Sequence, residues 1–220
     1  MARKAKISRQ TQPSLRQAGA SAGRLATVFR ETKETKIEIK INLDGTGKSK
    51  IQTGIGFLDH MLTALAKHAS FDLKIAAKGD LQVDQHHLVE DLGIVLGEAV
   101  AQCLKNKVGI MRAGSSGSFA FPMDESLGIA ALDFANRTKL VFRVKFAEKE
   151  VGGLRTNVIE DFFEGFANGA RANVYLETKN SRSTHHQVEA LFKAFARALR
   201  EAVAIDQKNS KRIPSTKGKI

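Results

Sequence analysis

The chain of 220 residues has one cysteine, one tyrosine, three prolines and no tryptophan. The lone thiol, Cys103, excludes a disulfide framework within the chain and fits a reducing compartment. With Tyr175 the only tyrosine, the core has to be built from aliphatic residues and phenylalanine. No apolar run approaches the roughly 20 residues of a membrane-spanning helix, so the sequence reads as soluble, with no membrane partner. Acidic residues are missing from residues 1–30, which carry seven Lys/Arg. Together with residues 206–220 this segment holds eleven of the twelve net positive charges, leaving +1 for residues 31–205. Recognition of nucleic acid needs a basic body, and this body is near neutral, so no nucleic-acid partner is expected despite the basic arms. Residues 1–23 read as a basic, disordered extension on a cytoplasmic protein; the alternative is a transit peptide leading to a plastid.

The body alternates strand and helix patterns. Thr35–Asp44 sets Ile37, Ile39, Ile41 and Leu43 against polar neighbours, the period of a half-buried strand. Phe57–His68 and His86–Leu104 have helical spacing, with a second strand at Phe71–Ala76 between them. The same order returns as strand Leu140–Phe146, helix Val158–Ala167, strand Ala172–Glu177 and helix His185–Val203. The two final helices begin alike, His-His-Leu-Val-Glu at 86–90 and His-His-Gln-Val-Glu at 185–189, 99 residues apart. An internal duplication explains this, and the predicted fold is α+β: two strand–helix–strand–helix units, helices packed between two sheets. The expected organisation is one domain over 24–220, in halves of about 24–110 and 111–205 followed by a C-terminal tail.

All six histidines fall at His60, His68 and the two His-His pairs. On a helix Glu90 lies on the same face as His86 and His87, and Glu189 stands in the same relation to His185 and His186. Adjacent histidines point about 100° apart, so each of a pair serves its own ion. The pattern predicts two metal sites, and imidazole with carboxylate but no thiolate suits Mn, Fe, Ni or Zn.

The stretch Thr53-Gly54-Ile55-Gly56-Phe57-Leu58-Asp59-His60-Met61-Leu62 resembles the signature of the imidazoleglycerol-phosphate dehydratase family. The likeness continues through Lys78-Gly79-Asp80-Leu81, Asp84-Gln85-His86-His87, Pro122-Met123-Asp124-Glu125, Asn180-Ser181-Arg182-Ser183-Thr184-His185-His186 and Pro214-Ser215-Thr216-Lys217-Gly218. It implies a fold like ribosomal protein S5 domain 2, two Mn ions per active site, and a homo-oligomeric, trimer-based shell of 24 subunits. It also implies an activity in histidine biosynthesis: dehydration of the phosphorylated imidazole substrate to imidazole-acetol phosphate through metal-stabilised imidazolate and diazafulvene chemistry. By this resemblance the metal ligands are His60, His86, His87, Glu90, Asp161, His185, His186 and Glu189, with Asp161 standing where family members often have His. Glu34 and Glu189 are the expected proton-transfer groups, with Asp124 and His60 positioning or relaying protons. His68, Arg112, Arg137, Ser215 and Lys217 are the expected phosphate donors. Three further departures stand out: Tyr175 where a histidine is common, an unusual Gly153–Asn157 loop, and a short insertion at Ser115–Phe119. Two other readings compete, a catalytically decayed metal-dependent assembly protein of this fold and a basic-armed nucleic-acid-binding module.

Overall fold

The computed structural model describes residues 23–112, 117–179 and 182–220. The basic extension expected over residues 1–23 therefore lies almost wholly outside the described residues, as does the start of the insertion at Ser115–Phe119.

Each half is a four-stranded sheet with two helices on one face. The first half runs β1 (Leu25–Glu31), β2 (Thr35–Asn42), β3 (Ser49–Gln52), α1 (Gly56–Ala69), β4 (Asp72–Gly79) and α2 (His86–Leu104). The second runs β5 (Ser118–Met123), β6 (Ser126–Asp133), β7 (Lys139–Arg143), the two-stranded hairpin β8 (Glu150–Val151) and β9 (Leu154–Arg155), α3 (Val158–Ala170), β10 (Asn173–Lys179) and α4 (Thr184–Val203). The sheet orders are β1-β2-β4-β3 and β5-β6-β10-β7, and in each the last pair is parallel while the others are antiparallel. The duplication thus extends to strand order and direction.

The repeating unit is richer than the expected strand–helix–strand–helix, with three strands before the first helix. The overlooked strands lack the alternation that marks β2. In β1 only Val28 is buried while Leu25 and Phe29 are exposed. In β6 the inward positions are Ser126, Gly128, Ala130 and Leu132, so small and polar residues face the helices while Leu127 and Ile129 face outward. β2 by contrast buries Thr35, Ile37, Ile39 and Ile41.

The helices form the central layers. α2 packs on β1, β2 and β4, and α4 on β5, β6 and β10, while α2 also meets α3 and α1 meets α4 across the middle. Both first helices end in the same cap: Ser70 (φ 59°) and Arg171 (φ 52°) adopt left-handed backbone, and the following N–H of Phe71 or Ala172 returns to Ala66 or Ala167 at 3.0 Å. The α2–α3 contact is made through backbone. A Cβ on Gly93 would stand 2.1 Å from the Phe162 carbonyl oxygen and one on Gly97 2.4 Å from that of Phe166. On α3, Gly165 and Gly169 lie in the same way 2.5 Å from the Glu90 oxygen and 2.1 Å from the Ile94 oxygen. Two glycines per helix, four apart, bring the helices that carry His86, Glu90 and Asp161 within van der Waals reach. Beside them Phe162, Phe163, Phe166, Phe192 and Phe195 make a fully buried aromatic core.

Candidate active site

The doubled motif sits at the first turn of α2 and of α4. At the start of α4, Ser183 accepts the His186 N–H with its side chain, the capping interaction that such a serine provides. Before α2, Asp84 accepts the His86 N–H at 3.0 Å. The β8–β9 hairpin clasps the same end: Gln85 donates to the Gly153 oxygen at 2.7 Å and Arg155 reaches Asp84 at 2.8 Å. The unusual Gly153–Asn157 loop is thus a support for the first His-His pair.

At the start of α4 His185 Nε2 lies 3.3 Å from Glu189, and His60 Nε2, from α1 of the first half, lies 3.9 Å from the other oxygen of that carboxylate. The ligand atoms of these three residues fall within 4.8 Å of one another, an arrangement able to hold a metal ion. Phe57 packs edge-on against the His185 ring at 5.0 Å. Burial opposes ionisation of Glu189, but the Lys193 ammonium, 2.8 Å away, together with His60 and His185 carries its pKa below the ordinary value.

In the first half His86 Nε2 is 3.6 Å from Glu90, and its Nδ1 is 2.9 Å from Asp161 on α3. The hydrogen bond to Asp161 raises the His86 pKa. His87 points elsewhere: its Nδ1 lies 3.2 Å from both oxygens of Asp80 and 3.9 Å from Glu34. His186, its counterpart, lies 3.1 Å from Glu125 at Nδ1 and 3.5 Å from Asp124 at Nε2. Glu34 is half exposed, but its turn is fixed. The Thr32 hydroxyl accepts from the N–H groups of Glu34 and Thr35, and the Thr35 hydroxyl donates to Asp91 at 2.5 Å in a buried contact. Asp91 also pairs with Arg30 at 2.9 Å. Asp124 takes left-handed backbone (φ 47°) at the equivalent β5–β6 turn.

Among the described residues no contact joins the His60–His185–Glu189 group to the His86–Glu90–Asp161 group; each takes two residues from one half and the third from the other, while His87 and His186 stand with Asp80 and Glu125 instead. Of the phosphate donors, Arg112, Arg137, Ser215 and Lys217 line one cavity of about 690 Å³. Arg112 spends its donors on Asp133 at 2.7 Å and the Pro214 oxygen at 2.5 Å, anchoring the tail. His68 is apart from them, edge-on to Phe121 at 5.2 Å; burial and then Lys193 and Arg197 lower its pKa, so its ring is neutral near pH 7.

The family model for imidazoleglycerol-phosphate dehydratase (IGPD) matches residues 53–199. The chain belongs to the imidazoleglycerol-phosphate dehydratase family. A relative of that name from Koribacter versatilis is 51% identical over 195 residues, spanning 89% of this chain and 98% of the relative. Another from Azorhizobium caulinodans is 49% identical over 197 residues, spanning 90% and 98%. Among solved structures, imidazoleglycerol-phosphate dehydratase from Staphylococcus aureus superposes with a TM-score of 0.73 at 35% identity, covering 83% of this chain and 99% of that one. IGPD from Pyrococcus furiosus superposes with a TM-score of 0.75 at 35% identity, covering 88% and 100%.

Within this family fold the departures have definite places. Tyr175 is on the outer face of the second sheet, its hydroxyl donating to Glu177 at 2.7 Å, away from both histidine clusters. Asp161 sits on α3 where His60 sits on α1. Asp80, Asp91, Glu125 and Lys193 all touch site residues but were assigned no role from sequence. Glu125 meets its histidine only in space, Asp80 lies seven residues before His87 across an irregular turn, and Lys193 was readable as the i+4 partner of Glu189.

Proposed function

We infer that the chain dehydrates imidazoleglycerol phosphate to imidazole-acetol phosphate in histidine biosynthesis. Family membership over nearly the whole chain carries this reading, and the convergence of His60, His185 and Glu189 supports it chemically. The donor set of imidazole and carboxylate without thiolate fits manganese. His60, His86, His87, Glu90, His185, His186 and Glu189 would hold two ions per site. Because no contact within the chain joins the two clusters, a complete site is assembled with neighbouring copies in a homo-oligomeric, trimer-based 24-subunit shell.

Ions held by these residues would supply Lewis-acid stabilisation of negative charge on the substrate's imidazole ring. The protein's own tasks are proton transfer and phosphate holding. Glu34 would exchange a proton with the substrate carbon, a role supported by its half-exposed carboxylate on a turn tied to α2. Glu189, its pKa held below the ordinary value by Lys193, is the second proton carrier, with His60 facing it and Asp124 facing His186. Arg137, Ser215 and Lys217 hold the phosphate in the tail cavity while Arg112 holds the tail itself.

The test is direct formation of imidazole-acetol phosphate from the substrate by purified protein. Chelation abolishes it and manganese restores it; Glu34→Gln keeps metal and assembly but loses most turnover. Metal uptake with no product from the wild-type chain would instead identify a decayed assembly protein.

A further inference from the structure

Three carboxylates from other elements lie within hydrogen-bond distance of the His-His pairs, all three at Nδ1; Asp124 and Glu34 stand farther off, at 3.5 Å from His186 Nε2 and 3.9 Å from His87 Nδ1. Asp80, past the end of β4, faces His87 Nδ1 at 3.2 Å; Glu125, in the β5–β6 turn, faces His186 Nδ1 at 3.1 Å; Asp161, on α3, faces His86 Nδ1 at 2.9 Å. A neutral imidazole carries one proton, so a carboxylate accepting at Nδ1 places the proton there and leaves the Nε2 lone pair for a ligand. His86 turns Nε2 toward Glu90, and His186 turns Nε2 toward Asp124.

We propose that Asp80, Glu125 and Asp161 are positioning residues that fix the Nδ1–H form of His87, His186 and His86 and aim each Nε2 at the metal. This deepens the two-metal reading above and rests on it. For Asp161 it replaces the ligand role that the family resemblance implies. His60, at the equivalent place in the first half, reaches the Nε2 side of its cluster, facing Glu189 beside His185 Nε2. The shorter Asp161 stops at the Nδ1 side of His86, and the two nitrogens of one ring point away from each other. A group bound at Nδ1 therefore does not share an ion with Nε2. Glu125 is fixed just as firmly. One oxygen accepts the N–H groups of Arg182 at 3.2 Å and Ser183 at 2.9 Å, while the other faces His186. Asp80 donates its own N–H to the Glu34 oxygen at 3.1 Å, so the support of His87 and the turn bearing Glu34 move as one piece.

The test compares Asp161→Ala and Asp161→Asn, with Asp80→Ala and Glu125→Ala beside them. Manganese affinity and stoichiometry are read from the free-ion paramagnetic resonance signal, and the melting curve of metal-free protein reports folding. Losing a group that orients a histidine typically lowers metal affinity about 10- to 100-fold, and each Ala variant should show this with the number of ions per chain unchanged. Asp161→Asn, whose amide oxygen still accepts from Nδ1–H, should recover most of the affinity. Nitrogen-15 shifts of metal-free protein should report Nδ1–H at His86 in the wild type and in Asp161→Asn, and mixed tautomers in Asp161→Ala. Wild-type affinity in folded Ala variants overturns the proposal, as does an Asn variant that binds as poorly as Ala with fewer ions per chain, the signature of a ligand. Failure of the wild type itself to bind manganese would instead overturn the two-metal reading.

Discussion

The glycines between α2 and α3 give a prediction whose sign alone decides it. Gly93→Ala places a methyl group 2.1 Å from the Phe162 carbonyl oxygen, where ordinary contact begins near 3.4 Å, so the helices must part by about 1.3 Å. The obstruction is backbone and cannot swing aside as a side chain would. Overpacking of this kind costs typically about 1–3 kcal/mol, and here the upper half of that range applies. Alanine in place of glycine within a helix returns about 0.5–1 kcal/mol. The net loss is about 1–2.5 kcal/mol, or several degrees in melting temperature for a chain of this size. Denaturant titration of metal-free protein measures it, with Gly56→Ala as reference, because nothing lies within 4 Å of a Cβ there. The same opening draws Asp161 away from His86, so Gly93→Ala should also bind manganese more weakly. Unchanged or increased stability would show that helix propensity dominates and that the close approach is not a constraint.

Three other outcomes follow from the same structure. Lys107 is buried with its ammonium 2.6 Å from Asn136, and burial, then the charge of Arg171, lowers its pKa to about 8 from 10.5. The unfolded chain then binds this proton more tightly between those values, so the charged lysine destabilises the fold below about pH 8 and the effect fades as pH rises toward 10.5. The stability of Lys107→Met relative to wild type should accordingly fall between pH 8 and pH 10; a difference independent of pH would refute this. Thr35→Val removes the hydroxyl that joins the Glu34 turn to Asp91, leaving a buried carboxylate short of a donor; stability should drop by about 1–3 kcal/mol and turnover should fall while metal content holds. Lys217→Met removes a charged donor from the tail cavity, and KM for the phosphorylated substrate should rise about tenfold or more with a smaller change in kcat.

Much of this was legible because periodicity reports burial. The four helices and the strands β2, β4, β7 and β10 stand where alternation or helical spacing puts apolar residues on one face. Their ends moved by a few residues, as with α3, which continues past Ala167 to Ala170. The signal failed where the inward face is small. β6 buries Ser126, Gly128 and Ala130, because α4 lies so close that a Cβ on Gly128 would meet the Ala190 oxygen at 2.4 Å. The same cause hid the α2–α3 contact, since glycines that permit close packing read in sequence as gaps in an apolar stripe. The histidine motif was legible because its spacing is local to one helix turn. Its supports were not: Asp161 meets His86 across 75 residues and Glu125 meets His186 across 61, separations that only the fold closes.

The halves repeat a scaffold but not a chemistry, and the differences lie where the proposed roles differ. Glu34 and Glu125 each occupy the last position before the second strand of their half, followed by the buried hydroxyl residues Thr35 and Ser126. In the second half Glu125 accepts from two backbone N–H groups and faces His186; its own backbone N–H first, then His186, hold its pKa down at about 2. It stays a fixed anion at any pH an enzyme meets and is unsuited to carrying a proton. In the first half the anchoring is transferred to Thr35 and Asp91, and Asp91 has no counterpart in α4, where the matching residue is Ala190. That transfer is what leaves the Glu34 carboxylate half exposed, 3.9 Å from His87. The glutamate before the second strand is thus held by backbone N–H groups in one half and left half exposed in the other, where the anchoring hydrogen bond is made by the residue after it.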